Sequence, residues 1–491
     1  MSRTRQQKAM QTISTKIETN IQSLQEVYAD CSDVVFRSFK IGQSIDACIV
    51  YITGLIHTEE VDEHVLSPLL HQTNGDQDTD VKDVLSVPNI KALSTLDECV
   101  SHISAGNSIL FINGHDQATS VFLSKTEHRA IEEPAAEEVV RGPREGFIEE
   151  LSVNVSLLRK RIQTPQLKVV ELKLGAQTHT KVVICYMDNI ASEDIIQEVK
   201  SRLRKIHIDG IIDSQTIEEL VIDEPYSPFP QILDTERPDT VCAQLLEGRV
   251  AILVDGTPFA LIAPATFFSL FQANEDYYLN YLIATAVRWL RYIFLFISLL
   301  LPSLYIAVTT FHQEMIPTSL LLKIMTAREE VPFPVFIEVL MMEITFEALR
   351  EAGLRLPRQI GSAVSIVGAL VLGESAVSAG IVSAPVVIVV ALTGIASFTI
   401  PKYNLSSAIR LLRFPLMVIA VFLGLLGVML GIILLVIHLC SLRSFGKPYL
   451  EPIAPLKKND LKDTAIRAPW WKLRRRPQVL GRKNITRQSV R

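Results

Sequence analysis

The chain has 491 residues, 48% hydrophobic and 21% charged, with a formal net charge of −5 and a mean hydropathy of +0.28. That length predicts more than one domain, and the apolar content excludes a disordered chain. The acidic balance argues against a general nucleic-acid binder, and the positive mean hydropathy points to apolar runs gathered in one region.

Met1 to Thr12 is mostly polar and lacks the apolar stretch of a secretory signal, so the large N-terminal part is expected to stay in the cytoplasm. Residues 1–29 read as a polar segment. Two α/β subdomains of similar plan are expected over 30–125 and 148–270, with a Glu-, Ala-, Pro- and Arg-rich linker over 126–147. The run Asp33 to Gly42 followed by Ala47 to Tyr51 parallels Lys168 to Gly175 followed by Lys181 to Tyr186. Each is two β-type runs about a turn, leading into a charged helical stretch. GNSILFING at 106–114 then parallels GRVAILVDG at 248–256 with the same Gly-to-Gly spacing. Asn113-Gly114 and Asp255-Gly256 predict type I′ turns, with positive φ at both central residues. The ordered recurrence of both pairs points to duplication.

GxGxxG, Walker A, HExxH and GxSxG motifs are absent. Cys31, Cys48, Cys99, Cys185, Cys242 and Cys440 form no CxxC pair and read as buried free thiols in a reducing compartment. His57, His64 and His71 recur every seven residues, about 10 Å apart along a helix axis, too far to share one ion. No enzyme activity, catalytic group, metal site or cofactor is expected.

From 271 to 291 the sequence reads as an amphipathic connector. Tyr277, Tyr278, Tyr281, Trp289 and Tyr292 suggest an aromatic interface belt, and Arg288 and Arg291 inside-facing charge. A polytopic α-helical membrane domain is expected over 292–441, with crossings at 293–310, 360–380, 381–400 and 416–440. Glu374 falls inside the second of these. It is a candidate ion-path or gating residue, or it reaches the interface from near the end of its span. Ser365, Ala369, Gly373, Ala376 and Gly380 recur at i+3 and i+4, a stripe that suits helix packing or a pore wall. Residues 334–351, PVFIEVLMMEITFEALRE, are apolar yet carry Glu338, Glu343, Glu347, Arg350 and Glu351. At about 100° per residue Glu343, Glu347 and Arg350 share an arc of ~60°. This helix lines a watery path, re-enters, or lies in the interface. A structural pairing with Arg350 is the alternative.

Residues 442–491 form a basic tail opposed only by Glu451, Asp460 and Asp463. Positive-inside bias places it in the cytoplasm with the N-terminus, which requires an even number of crossings, four if 334–351 does not span. That choice leaves Arg350, Arg355, Arg358, Lys402, Arg410 and Arg413 in conflict with the same bias.

Several runs carry a family resemblance: Arg141 to Phe147, Glu236 to Asp239, Leu245 to Arg249, Val254 to Gly256, VPFP at 331–334, MEITFEALREAG at 342–353 and LVLGESAVSAGIVS at 370–383. From about residue 30 to 440 the chain closely resembles the A subunit of GerA-family spore germination receptors. The resemblance implies a protein of the spore inner membrane; with the charge bias above, both ends are expected on the core side. It implies a homo-oligomer acting with a transporter-like B subunit and a lipoprotein C subunit. The implied role is to transduce germinant binding into ion release as a channel-like element. A transporter-like or scaffold subunit without its own ion path is the alternative.

Overall fold

A computed structural model describes residues 12–42, 45–70, 85, 87, 90–122, 134, 137, 139–356, 371–458, 460–477 and 483–488. The chain divides into two compact units: residues 1–222, 232–264 and 473–491, and residues 223–231 with 265–472.

The first unit is built from two repeats. In the first, helix α1 (Ile17–Val27) precedes β1 (Val34–Ile41), β2 (Ile45–Ile52), β3 (Ile90–Leu93), helix α2 (Leu96–Ser104), β4 (Ser108–Ile112) and β5 (Ala118–Val121). In the second, α3 (Leu151–Arg161) precedes β6 (Leu167–Leu174), β7 (Thr180–Met187), α4 (Glu193–Arg204), α5 (Ser214–Val221), β8 (Leu233–Thr235), α6 (Pro238–Glu247), β9 (Val250–Val254) and β10 (Ala260–Ala263). The sheets run β1-β2-β4-β5-β3 and β6-β7-β9-β10-β8, the same order twice, and every pairing is antiparallel. Strand side chains alternate between faces. Cys48, Val50 and Ile52 of β2 accordingly pack with Ile17 and Leu24 of α1 and Cys99 and Ile103 of α2. Ala47, Ile49 and Tyr51 pack with Val61, Val65 and Leu69 of the helical stretch 58–70 on the other face. Covering both faces explains why β2 is apolar throughout rather than alternating.

Residues before 30 are not a separate polar segment. Ile13, Ile17 and Leu24 are buried in the first repeat's core, and α1 has a counterpart in α3. Each helix is preceded by the same brace. The amide of buried Asn20 bonds both backbone groups of Ser14, accepting at 2.9 Å and donating at 2.7 Å. Asn154 does the same to Ile148 at 2.9 and 2.6 Å. The turn side chains Asn113 and Asp255 accept from the first amides of α1 and α3, Ile17 at 3.4 Å and Leu151 at 3.2 Å. Only the glycines of these turns are left-handed, Gly114 at φ 92° and Gly256 at φ 88°. The expected type I′ geometry is therefore not adopted: Asn113 and Asp255 keep negative φ while their carbonyl-bearing side chains cap helices.

The repeats join where the 30–32 segment adds to β6. Ser32 donates to Val169 at 2.8 Å and Val169 to Asp30 at 3.0 Å. Beside it Arg159 makes a bidentate pair with Asp33, Nε to Oδ2 at 2.7 Å and Nη2 to Oδ1 at 2.9 Å, both side chains buried. Five of the six cysteines are buried; Cys440 is exposed.

In the second unit α7 (Tyr281–Phe311) is followed by α8 (Thr318–Arg328), α9 (Val335–Arg355), a helical stretch over 371–378, α10 (Ala384–Phe398) and α11 (Tyr403–Ser441). Two of these, α7 and α11, are long and apolar enough to cross a membrane. At 15 residues α10 reaches about 22 Å, short of a hydrocarbon core of about 30 Å. The expected span at 360–380 falls partly outside the described residues. Its described part ends at Gly380, φ 64°, which closes the helix in the left-handed conformation a C-terminal cap requires.

Helix α11 is two arms. Gly424 has φ 58° and ψ −140°, outside helical space. A Cβ on Gly427 would lie 2.6 Å from the Ile419 carbonyl oxygen, whereas eight residues of straight helix separate atoms by about 12 Å. Arms 403–423 and 425–441 therefore fold back against each other in direct contact. The expected single crossing at 416–440 is broken at its middle, because three glycines let two backbones close up.

The C-terminal region is not a solvated basic tail. Within the second unit Lys457 pairs with Glu451 at 2.6 Å, and buried Arg467 stacks on Tyr277 and Trp470. Within the first, Arg476 donates to the Leu246 carbonyl at 2.7 Å, Lys483 pairs with Asp188 and Glu193 at 3.3 Å, and Arg487 pairs with Glu247. These five cations of the tail are engaged by the fold, whereas Lys462 and Lys472 stay exposed. Arg288 and Arg291 are likewise buried rather than displayed: both close on Asp276, at 3.1 and 2.8 Å.

Two predictions arise. Gly427→Ala lowers the thermal midpoint of the detergent-solubilised chain. Its new methyl meets backbone, an overpacking cost of about 1–3 kcal/mol against a helix-propensity gain of about 1 kcal/mol. Gly431→Ala is tolerated better, because its neighbour is the tip of the Leu416 side chain, which can turn aside. In the first unit, burial pushes the Glu218 carboxyl up to about 7, with Asp234 and Glu219 adding repulsion. A raised carboxyl stabilises the fold while protonated, so this contribution is present below the ordinary carboxylate range and is lost as pH rises through about 7. Glu218→Gln keeps the neutral shape and should be nearly silent in denaturant melts at pH 5. At pH 8 it should stabilise by a few kcal/mol, on the order of 3.

Candidate functional site: an arginine–glutamate seam among the apolar helices

The glutamates expected to share a face of 334–351 find their partners on α11. Helix α9 follows Pro334, whose fixed φ suits the position before a first turn. Its acidic residues recur at i and i+4, which keeps them on one face. Glu343 is fully buried and paired with Arg413. Arg413 also donates to the Ser298 carbonyl at 2.8 Å and the Ser298 hydroxyl at 3.1 Å, so this one side chain joins α7, α9 and α11. One turn on, Glu347 pairs with Arg410 at 2.5 Å, and Arg410 donates to Ser407 at 2.8 Å.

Arg350 does not pair with either glutamate. Its guanidinium lies over the rings of Phe398 and Tyr403, 5.0 and 5.5 Å from their centroids, a cation–π arrangement. Glu338 is fully buried and serves α10: it accepts from the Ser383 backbone N–H at 2.9 Å and the Ser383 hydroxyl at 2.7 Å. Ser383 is the residue before the first turn, where a carboxylate answers the helix dipole. Arg328 of α8 adds a 3.2 Å contact. Among the described residues Glu343 Oε1, Glu347 Oε1, Arg350 Nη1 and Arg410 Nε are buried without a hydrogen-bond partner. Two acceptors and two donors are the set that bridging water satisfies.

Glu374 is exposed on the 371–378 stretch and does not join the seam. Of the small-residue stripe, Ser365 and Ala369 lie outside the described residues. Gly373 packs on α10, where a Cβ would stand 3.5 Å from Val387. The carbonyl of Ala376 accepts the turn amide of Ile381 at 2.9 Å. Gly380 lies beyond the helix end, so it leaves the face the other members share.

Four of the six cations that conflicted with positive-inside bias have partners in this structure, and Lys402 is buried. Arg410 and Arg413 are neutralised between helices, Arg350 is held by rings, and Arg355 pairs with Glu351 at 2.6 Å. Arg358 lies outside the described residues. Sequence reasoning missed Arg410 and Arg413 as partners. Their i, i+3 spacing in an apolar helix, mirroring Glu343 and Glu347 at i, i+4, was the available signal.

A duplicated α/β body combined with apolar helices braced by buried ion pairs defines a two-part protein whose helical part suits a bilayer. The chain belongs to the GerA family of spore germination proteins: the family described as Bacillus/Clostridium GerA spore germination protein matches residues 22–479. That match begins within α1 and takes in most of the C-terminal region, beyond the stretch expected from motifs. The chain is 50% identical to the uncharacterized membrane protein YfkQ of Bacillus subtilis strain 168, over 96% of this chain and 93% of that one. It is 45% identical to spore germination protein KA of the same organism, over 97% and 89%. A crystal structure of the N-terminal domain of the A subunit of the Bacillus megaterium spore germinant receptor GerK3 is 32% identical. It covers 53% of this chain and 98% of that one, with a TM-score of 0.43.

Removing one member of a fully buried pair leaves the other charge uncompensated, at about 3–5 kcal/mol. Glu343→Gln should therefore sharply lower membrane abundance. Glu343→Gln with Arg413→Gln should restore it, and Glu343→Gln with Arg350→Gln should not. Glu347 is partly exposed, so Glu347→Gln should cost about 1 kcal/mol or less. Immunoblots of membrane fractions and thermal midpoints separate these outcomes.

Proposed function

We propose that this chain is the membrane subunit of a spore nutrient-germinant receptor, an A-type subunit that converts germinant binding into ion release. Family membership over nearly the whole chain supports the receptor role. The observation that carries the mechanism is the seam of a fully buried pair, Glu343–Arg413, and a partly exposed one, Glu347–Arg410. A buried ion pair tolerates few intermediate positions: its charges stay together or find new partners, which suits a two-position element. Displacement of α9 against α11 opens the pairs and turns the carboxylates toward water, where they attract cations. The chain works as a homo-oligomer, with a transporter-like B subunit and a lipoprotein C subunit, in the spore inner membrane.

One feature supports the topology. Residues 473–488 belong to the same unit as residues 12–222, which supports a reading with both ends on the core side and an even number of crossings between. No enzymatic activity is proposed. The reading of a scaffold or transporter-like subunit without its own ion path is favoured by one count. Arg350, Arg410 and Arg413 outnumber Glu347 and Glu343 at the seam, and a closed seam of that balance repels cations.

Spores carrying Glu347→Gln distinguish the two. The channel-like reading expects normal abundance with slowed cation efflux after germinant addition, followed with an ion-selective electrode. Unchanged efflux at normal abundance supports the scaffold reading.

A further inference from the structure

We infer that residues 460–472 form a collar around the base of α7 that seats in the headgroup layer of an anionic phospholipid bilayer. The segment runs antiparallel along the first three turns of the helix. Trp471 packs on Tyr281, with ring centroids 5.8 Å apart. Thr285 accepts from the Arg467 amide at 3.2 Å, Trp289 Nε1 donates to the Ala465 carbonyl at 2.8 Å, and Tyr292 donates to the Thr464 carbonyl at 3.1 Å. The joint is anchored by Arg288, which holds Asp276 at 3.1 Å and Asp463 at 3.2 Å.

This placement gathers every tryptophan in the sequence. The chain has three, Trp289, Trp470 and Trp471, and they are 54%, 51% and 62% exposed although Thr464, Arg467 and Ala468 of the collar are buried. The exposed residues of the segment are Lys462, Ala465, Ile466, Trp470, Trp471 and Lys472. They offer three large apolar side chains and two cations, and no carboxylate. Tryptophan prefers the boundary where one edge is apolar and the other wet, and surface lysines attract anionic headgroups. The apolar surface continues along α7 through Leu282, Leu290, Ile293 and Phe296, all exposed. From Trp289 to Phe311 the helix extends about 33 Å, close to a hydrocarbon core of about 30 Å, and Tyr281 lies about 12 Å further out. Trp289 therefore marks the hydrocarbon edge, and Trp470 and Trp471 the headgroups.

The inference rests on α7 spanning the bilayer and not on any ion path. Its test uses the native fluorescence of the full chain in vesicles, after carbonate resistance has established insertion. Phospholipids brominated high on the acyl chain should quench emission more than lipids brominated near the chain end. At equal mole fraction, brominated phosphatidylglycerol should quench more than brominated phosphatidylcholine, and Lys462→Gln with Lys472→Gln should abolish that difference. An inserted chain whose tryptophans are unquenched by either bromine position would overturn the collar and mark the face as covered by protein. Equal quenching by the two headgroups would overturn its anionic preference.

Discussion

A guanidinium cannot be left alone in an apolar interior, and this chain buries several. Arg159, Arg237, Arg288 and Arg413 are among its largest fully enclosed side chains. Each meets a carboxylate: Asp33, Asp239, Asp276 and Glu343 respectively. Burying the pair costs desolvation on both sides, and the attraction recovers it only when the remaining N–H groups are also used. Arg413 uses them on Ser298, and Arg288 on the 463–464 carbonyls. Arg159 ties the two α/β repeats, Arg288 the C-terminal segment to the first apolar helix, and Arg413 three apolar helices. Placement in each unit is therefore fixed at a few charged points, while the apolar residues around them supply most of the area and little of the direction.

How much of this could be read from the sequence depended on range. Strand runs and Gly-to-Gly spacing are local, so the two sheets and their duplication emerged from pattern alone. The first helix of repeat one did not, because Ile17, Ile21 and Leu24 are spread among polar residues. The asparagine brace that marks its start repeats only as a single residue type at matched positions, Asn20 and Asn154. The turns were found but their backbone type was not. Asn and Asp tolerate positive φ, and nothing in the dipeptide reveals that their side chains are engaged in capping a helix about a hundred residues away.

In the helices the apolar character was plain and the geometry was not. A run such as Leu416 to Cys440 has the same composition whether the backbone continues or reverses, and only Gly424 distinguishes the cases. The acidic face of α9 could be drawn from periodicity, but its partners lie 63 and 70 residues away in sequence. Without them the nearest arginine, Arg350, was the natural choice. Surface preference misled in the same direction for the tail, where Arg467 and Arg476 are buried contrary to the usual habit of arginine.

The connectivity of the two units has a mechanical consequence. The chain passes between them at 222/223, 231/232, 264/265 and 472/473; the first three of these junctions lie in the second repeat and the fourth in the C-terminal segment. Each junction is a covalent link that can carry tension. Any movement of the helices is thus delivered as tension to the residues flanking β8, β10 and the returning C-terminal segment. None of the four junctions lies in the first repeat. Within the duplicated body the first repeat meets the second at Arg159–Asp33 and at the strand added at residues 30–32, so that junction is where a load on one half is felt by the other.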